Sequence, residues 1–304
     1  MKYTFLLPAW KARFFEEALG SILAQTYGDF EVIVSDDCSP EDLKGIVDKF
    51  ADPRVKYRRN ERNIGAEHLV DHWNLLLGLT DAQYIIMASD DDVYDPRYLE
   101  EMDRLARKYP EASVLRPLIR IINAEGRTTF EEKYTGKERL DVNEFLELWG
   151  TERLMSGVPY YVFKAEALKE SGGFVDYPYA TFSDDATVIK NILENGMVLS
   201  EKRSFSFRQS AENLSNSFSN EIVKGKTQAA LMFNEEILSM SVLDRSAVEI
   251  ARKRVKKLLL GNVRQSSNYG IVLDLLFKSS PGVIDCKLRL QLIKDAGIKV
   301  AGGG

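Results

Sequence analysis

Cysteine and histidine are scarce in this chain of 304 residues, with two of each. Cys38 and Cys286 lie far apart, and nothing near them has the paired spacing of a zinc site or a disulfide framework. A reducing compartment is therefore the simpler expectation, and the cytoplasm the default. His68 and His72 lie four apart on an expected helix, a spacing that can bind zinc, but the H-E-x-x-H pattern and a third ligand are missing. Long apolar runs are missing too. No window reaches the roughly 18 to 20 apolar residues of a membrane span, so any membrane contact is expected to be peripheral. The apolar start, Tyr3 to Trp10, is short, contains Pro8 and lacks a small-residue cleavage site, so it reads as a strand and not as a signal peptide. No internal repeat is present.

What is present is a globular composition, 44% hydrophobic, enough for one large domain and a smaller appendage. The net charge of -5 is unevenly spread, because residues 221–304 hold 14 Lys and Arg against 8 Asp and Glu. The acidic body argues against a nucleic-acid partner, and the basic tail needs its own explanation.

Strand and helix signals alternate. Strands are expected at Tyr3–Leu7, Phe30–Val34, Val55–Arg58 and Tyr84–Ala88, with helical spacing in Phe14–Gln25, after Pro40, and through Leu69, Trp73 and Leu77. This pattern predicts an α/β fold built of βαβ units, a mostly parallel sheet flanked by helices. Ligands then gather at the carboxyl ends of the strands, where Asp36, Asp37 and the triplet Asp90, Asp91, Asp92 fall. Further on, Val114–Ile122 is apolar, residues 123–139 read as a hairpin or excursion, and Met155–Phe163 returns to the sheet. Ser204–Asn220 has a loop composition, which sets a boundary near 220 between a domain of residues 1–220 and a helical C-terminal extension of residues 221–304.

The stretch YIIMASDDDVYDP is the most informative. Three adjacent carboxylates at the end of a buried strand repel one another unless a cation compensates them. Mg²⁺ or Mn²⁺ does so with one or two carboxylates, filling its other positions with phosphate oxygens and water. The bland alternative is a solvated acidic turn, with Asp92 or Asp95 capping the next helix. A second acidic pair, Asp184 and Asp185, opens a helical pattern, and there the bland reading is capping and dipole compensation.

Taken together, FLLPAWKARFFEEALGSILAQTYGDFEVIVSDDCSPED and YIIMASDDDVY resemble the N-terminal half of glycosyltransferase family 2, and the likeness extends over roughly residues 3–216. The resemblance implies the Rossmann-like GT-A fold and an inverting transfer of sugar from a nucleotide diphosphate donor to a hydroxyl acceptor. It implies that Asp37, with Asp36 beside it, binds the nucleotide base; a carboxylate accepts the imide N–H of uracil, which points to a UDP-sugar. Pro8 and Trp10 match the loop beneath the nucleotide, although Lys11 stands where Asn is common, and Asn63 and Gly65 match a loop near it. The triplet matches the D-x-D signature: Asp90 toward ribose or sugar, and Asp91 or Asp92 on the metal, spacing alone not choosing between them.

SGVPYYVFKAEALKESGGF resembles the family's acceptor-side segment, after which the second member of an acidic pair is the catalytic base. That makes Asp185 the expected base and Asp184 an acceptor ligand, in place of the usual Glu. FSFRQSAENLSNS resembles the family's lid, with Arg208 a candidate diphosphate ligand, but Ser210 falls near the position where His is usual; an ordinary surface loop is the alternative.

In the tail, RSAVEIARKRVKKLLL places Val248, Ala251, Val255 and Leu258 on one face and Arg252, Lys253, Lys256 and Lys257 on the others. Such a helix either lies on the anionic inner face of a membrane, where lipid-linked acceptors reside, or packs on its own domain with a solvated basic face. The expected partners are a nucleotide-sugar donor and a glycan, glycolipid or other hydroxyl acceptor, as in surface polysaccharide or glycolipid synthesis. Two rivals remain: a sugar-nucleotide nucleotidyltransferase, disfavoured because LLPAWKARF has no glycine for a phosphate loop, and a non-catalytic binding or scaffold protein of the same fold.

Overall fold

The computed structural model describes residues 1–210 and 219–265. The run Tyr3–Ala9 forms β1, and Tyr3, Phe5, Leu6 and Leu7 have no solvent exposure, as a strand covered on both faces requires. Helix α1 (Phe15–Leu23) turns Phe15, Ala18, Leu19 and Ile22 inward, the stripe expected of a helix lying on a sheet. β2 (Phe30–Asp36) follows, then α2 (Leu43–Phe50), started by the Asp42 carboxylate accepting the Gly45 N–H at 2.8 Å. β3 (Val55–Arg59), α3 (Leu69–Leu77) and β4 (Tyr84–Met87) complete the first half. The second half runs β5 (Val93–Tyr94), α4 (Tyr98–Lys108), β6 (Val114–Ile122), β7 (Thr128–Glu131), β8 (Arg139–Leu140), α5 (Val142–Gly150), β9 (Val162–Lys164), α6 (Ala165–Glu170), α7 (Ser183–Ile192) and β10 (Met197–Arg208). Two helices, α8 (Asn220–Ser239) and α9 (Arg245–Gln265), follow.

Among the described residues the strands form one sheet in the order β3-β2-β1-β4-β9-β6-β10-β5, with β7 beside β6 and β8 beside β10. The expected α/β architecture, a sheet flanked by helices with more helices behind it, is present. Its parallel order holds across β3-β2-β1-β4 and between β6 and β10, whereas β9 lies antiparallel between β4 and β6, so the sheet is mixed. Residues 123–139 begin as a hairpin: β7 pairs antiparallel with β6 around a turn at Asn123–Arg127, where Gly126 takes a φ of 75°.

The loop expectation for Ser204–Asn220 is corrected at its start, because β10 continues through Arg208. Serine content misled there; the alternation Ser204, Phe205, Ser206, Phe207 has strand period, and Phe205 packs on Tyr94 and Tyr160. Most of the lid-like stretch, residues 211–218, lies outside the described residues, as do Cys286 and the tail beyond 265.

Helix α9 buries Ala247, Ala251, Val255 and Leu259, with Val248 and Leu258 partly buried. The stripe packs on α5 and α8, and a Cβ on Gly150 of α5 would stand 2.3 Å from the Ile250 side chain. The apolar face on which a membrane-lying helix depends is therefore already covered by protein. No helix among the described residues is long and apolar enough to cross a membrane.

Candidate active site

The parallel register of β1 and β2 aligns Pro8 with Ser35 and Ala9 with Asp36, bringing the expected nucleotide residues to one edge. Asp36 is fully buried, and its carboxylate accepts the Ser39 N–H (2.7 Å), the Tyr57 hydroxyl (2.6 Å) and Arg59 (2.5 Å). That carboxylate faces inward and shapes the turn. Asp37 accepts Asn60 Nδ2 (2.9 Å) and the N–H groups of Ile64 (2.8 Å) and Gly65 (3.0 Å), while Asn63 donates to the Asp37 carbonyl (2.9 Å). Gly65 has a φ of 75°, which only glycine adopts without strain and which directs its N–H to the carboxylate. Asp37, Asn63 and Gly65 thus form one unit, and with three donors on about four lone-pair positions Asp37 keeps room for one more.

His72 does not join His68. It is buried, 2.9 Å from Ser35 Oγ, with its pKa lowered by burial, while His68 faces Asp71 at the surface.

Asp90 reaches across to the loop after β1, where its Oδ2 accepts the backbone N–H groups of Trp10 (2.9 Å) and Lys11 (3.0 Å). Burial raises its pKa, those two N–H groups oppose the rise, and the neighbouring Asp91 charge adds to it. Trp10 itself is 45% exposed. Asp91 accepts the Ser89 hydroxyl at 2.5 Å.

Asp92 has no exposure; Oδ1 accepts the Arg208 N–H at 2.8 Å and Oδ2 has no partner. Its pKa stands well above the usual carboxylate range, chiefly through burial and then through the Asp91 charge. Arg208 is 1% exposed, donates Nε–H to the Asp91 carbonyl (2.8 Å), pairs with Glu17 (2.6 Å) and reaches the carbonyls of Asn123 and Ala124. In this arrangement Arg208 braces the triplet from behind rather than facing an open diphosphate site.

The three carboxylates have different partners, and no three His, Cys, Asp or Glu side chains among the described residues close on one point. A Mg²⁺ or Mn²⁺ ion needs only one or two of them when phosphate and water complete its octahedron. The partnerless, buried Oδ2 of Asp92 beside Asp91 is the kind of oxygen such an ion would satisfy, so the residues present fit a divalent cation.

Helix α7 begins with Ser183, Asp184 and Asp185. Asp184 is half-buried, and its Oδ1 accepts the Asp185 N–H at 2.9 Å. Burial, and then the Asp185 charge, pushes its pKa up to about 8. Asp185 is 5% exposed, and its Oδ1 makes no hydrogen bond. Burial raises its pKa as well, opposed by the charge of Arg254 and by the nearby Ser156 hydroxyl and Trp149 indole. Trp149 Nε1 also lacks a formed hydrogen bond, so the indole acts on the pair as a neighbouring N–H dipole.

Tyr160 is 2% exposed, and burial, then the charge of Asp92 and, less, that of Asp184, pushes its hydroxyl pKa far up, against the opposing charge of Arg116. Sequence reasoning missed Tyr160, Trp149 and Arg254, and also the fully buried pair Arg116–Glu132, 2.6 Å apart, which fixes both the carbonyl and the N–H of Met155 next to Ser156. A charged residue inside an apolar strand, Arg116 in VLRPLIRII, was the available signal.

A mixed sheet flanked by helices, with acidic groups at its carboxyl edge, is the architecture of the GT-A fold. The chain belongs to glycosyltransferase family 2, whose description, Glycosyl transferase family 2, matches residues 6–164. It is 34% identical over 96 residues to WcaA of Escherichia coli (strain K12), provisionally named a colanic acid biosynthesis glycosyl transferase. It is 28% identical over 166 residues to the uncharacterized protein y4gI of Sinorhizobium fredii. These alignments take in 31% and 52% of this chain and only 33% and 16% of the two relatives. Among solved structures, TarS 1-349 of S. aureus in complex with UDP-GlcNAc superposes over 98% of this chain and 88% of its own, with a TM-score of 0.69 at 16% identity. The mannosyltransferase PcManGT of Pyrobaculum calidifontis, in complex with GDP-Man and Mn2+, superposes over 98% of this chain and 86% of its own, with a TM-score of 0.56 at 16% identity.

Proposed function

We propose that this glycosyltransferase moves a sugar from a nucleoside diphosphate donor, a UDP-sugar, to the hydroxyl of a glycan or glycolipid acceptor in one inverting displacement. The observation that carries the reading is the pair of buried carboxylate oxygens without partners, Asp92 Oδ2 on the donor side and Asp185 Oδ1 on the acceptor side. Asp37, with its remaining acceptor position, receives the uracil imide, Trp10 offers a ring face to the nucleotide, and the Asn63–Gly65 loop holds Asp37 in place. Asp90 orients the ribose or sugar while holding the loop beneath it.

Asp91 and Asp92 hold Mg²⁺ or Mn²⁺, which when bound neutralises charge on the diphosphate, a contribution of several kcal/mol in comparable sites. Asp185 takes the acceptor proton as the hydroxyl oxygen attacks the anomeric carbon, help worth about 10² to 10⁴ in rate. Asp184 shares a proton with it and contacts the acceptor. No separate general acid is required. The solved structure bound to UDP-GlcNAc and the relative named for colanic acid biosynthesis support a uridine donor and a surface-polysaccharide setting. Membrane contact, if made through α9, is electrostatic, through basic residues such as Lys253 and Lys256, because the apolar stripe is covered.

The test is transfer and donor hydrolysis across a panel of nucleotide sugars with and without Mn²⁺. Turnover of a UDP-sugar that disappears on chelation is expected. Binding without any turnover would favour the scaffold reading instead.

A further inference from the structure

The helices after residue 220 read, in sequence, as an appendage, yet they grip the segment that leads into the acidic pair. Tyr179, Ala180 and Phe182 all have left-handed backbone, with φ of 56°, 52° and 64°, a conformation costing non-glycine residues of order 1–3 kcal/mol each. Helix α8 holds this segment: Phe233 stacks on Phe182 with centroids 4.6 Å apart and planes within 9°. Gly225 lets the Tyr179 ring approach so closely that a Cβ would stand 2.3 Å from it. Glu236 of the same helix accepts the Tyr177 hydroxyl. Helix α9 sends Arg254 to Trp149 of α5. Its guanidinium lies 4.2 Å over the Trp149 ring and donates to the Trp149 carbonyl, and the Trp149 indole in turn borders Phe182 at 6.1 Å.

Resting on the reading of Asp185 as base, we propose that Arg254 is a positioning residue that supplies the counter-charge for Asp184 and Asp185, making the C-terminal helices part of the acceptor site. A cation near two coupled carboxylates favours release of a proton from them. The Tyr160 and Tyr161 hydroxyls, which feel the Asp184 charge, are held neutral by burial, and the buried Arg116 over their rings is already paired with Glu132. Consistent with the placement, the Arg254 charge opposes the raised pKa of both aspartates.

The test is the pH profile of kcat for Arg254→Gln, Arg254→Met and Arg254→Lys, with Arg245→Gln as a charge-matched control on an exposed part of α9. The neutral variants are expected to move the acid limb up by about one pH unit, and to lower kcat below that limb about tenfold with the donor KM unchanged. Lysine restores the limb, and the control leaves it in place. Arg254→Met keeps the stem against Trp149 and carries the same expectation should the glutamine variant melt below assay temperature. A wild-type limb in either folded neutral variant overturns the inference, as does a lysine variant that behaves like glutamine. Retained transfer in Asp185→Asn would instead remove the base reading itself; an inactive Asp185→Asn beside unshifted Arg254 variants removes only the present inference.

Discussion

Asp90 Oδ2 accepts the backbone N–H of Trp10 at 2.9 Å, so the carboxylate that follows β4 holds the loop that follows β1. β1 and β4 are hydrogen-bonded neighbours in the sheet, and this side chain carries their association on into the loop beyond β1, where the same oxygen takes the Lys11 N–H. Asp90→Ala leaves two amides without their acceptor and is expected to lower stability by about 1–3 kcal/mol and weaken UDP binding. Asp90→Asn keeps a carbonyl acceptor and should lose less of both, as urea melts and calorimetric titration with UDP will read. Equal losses in the two variants would mean that the carboxylate charge, and not the loop contact, governs binding.

Asp185→Asn preserves the shape of the helix start and removes the base. UDP affinity should stay within about twofold while kcat falls by about 10² to 10⁴, measured by transfer assay and titration on one preparation. Full turnover in this variant excludes Asp185 from proton removal.

Arg208 separates a bracing role from a ligand role. Its hydrogen bonds tie the Asp91 carbonyl, the 123–124 turn and Glu17 together, so Arg208→Ala should cost about 3 kcal/mol or more in chemical denaturation, with Arg208→Lys intermediate. A variant with an unchanged denaturation midpoint but lost UDP affinity would mark the guanidinium as a diphosphate ligand.

The acidic pair also sets a pH dependence of stability. Folding raises the Asp184 pKa from 3.8 to about 8, so the native state keeps a proton that the unfolded chain has released across that window. Stability is therefore fully present at the acidic end and declines as pH climbs toward 8. The melting temperature of the metal-free protein should fall over this range, and Asp184→Asn should flatten the fall. A slope unchanged in that variant would place its origin elsewhere.

Asp92 gives a linked prediction for metal. Its carboxyl is biased toward the protonated form by burial and by Asp91, and cation and proton compete for it. Mn²⁺ added with UDP should raise the melting temperature more at pH 8 than at pH 6, and changing Asp91 and Asp92 together to Ala should abolish the increment. An increment of the same size at both pH values contradicts a carboxylate site of raised pKa.

The alternation of buried strands and amphipathic helices from Tyr3 to Met87 was legible in sequence because strand and helix periodicity are local properties. So was the placing of acidic clusters at strand ends, since parallel β-strands linked by helices put their carboxyl ends on one edge. What each carboxylate faces was not legible. Asp36 and Asp37 are neighbours in the chain, yet one is turned to Arg59 and Tyr57 and the other to the Asn60–Gly65 loop, a division made by β3 and the loop after it. Likewise, the direction of β9, the burial of Arg208 and the packing of Arg254 on Trp149 depend on which surfaces meet. Charge and hydrogen-bond partners act over a few ångströms of space, and only the folded chain determines which residues share them.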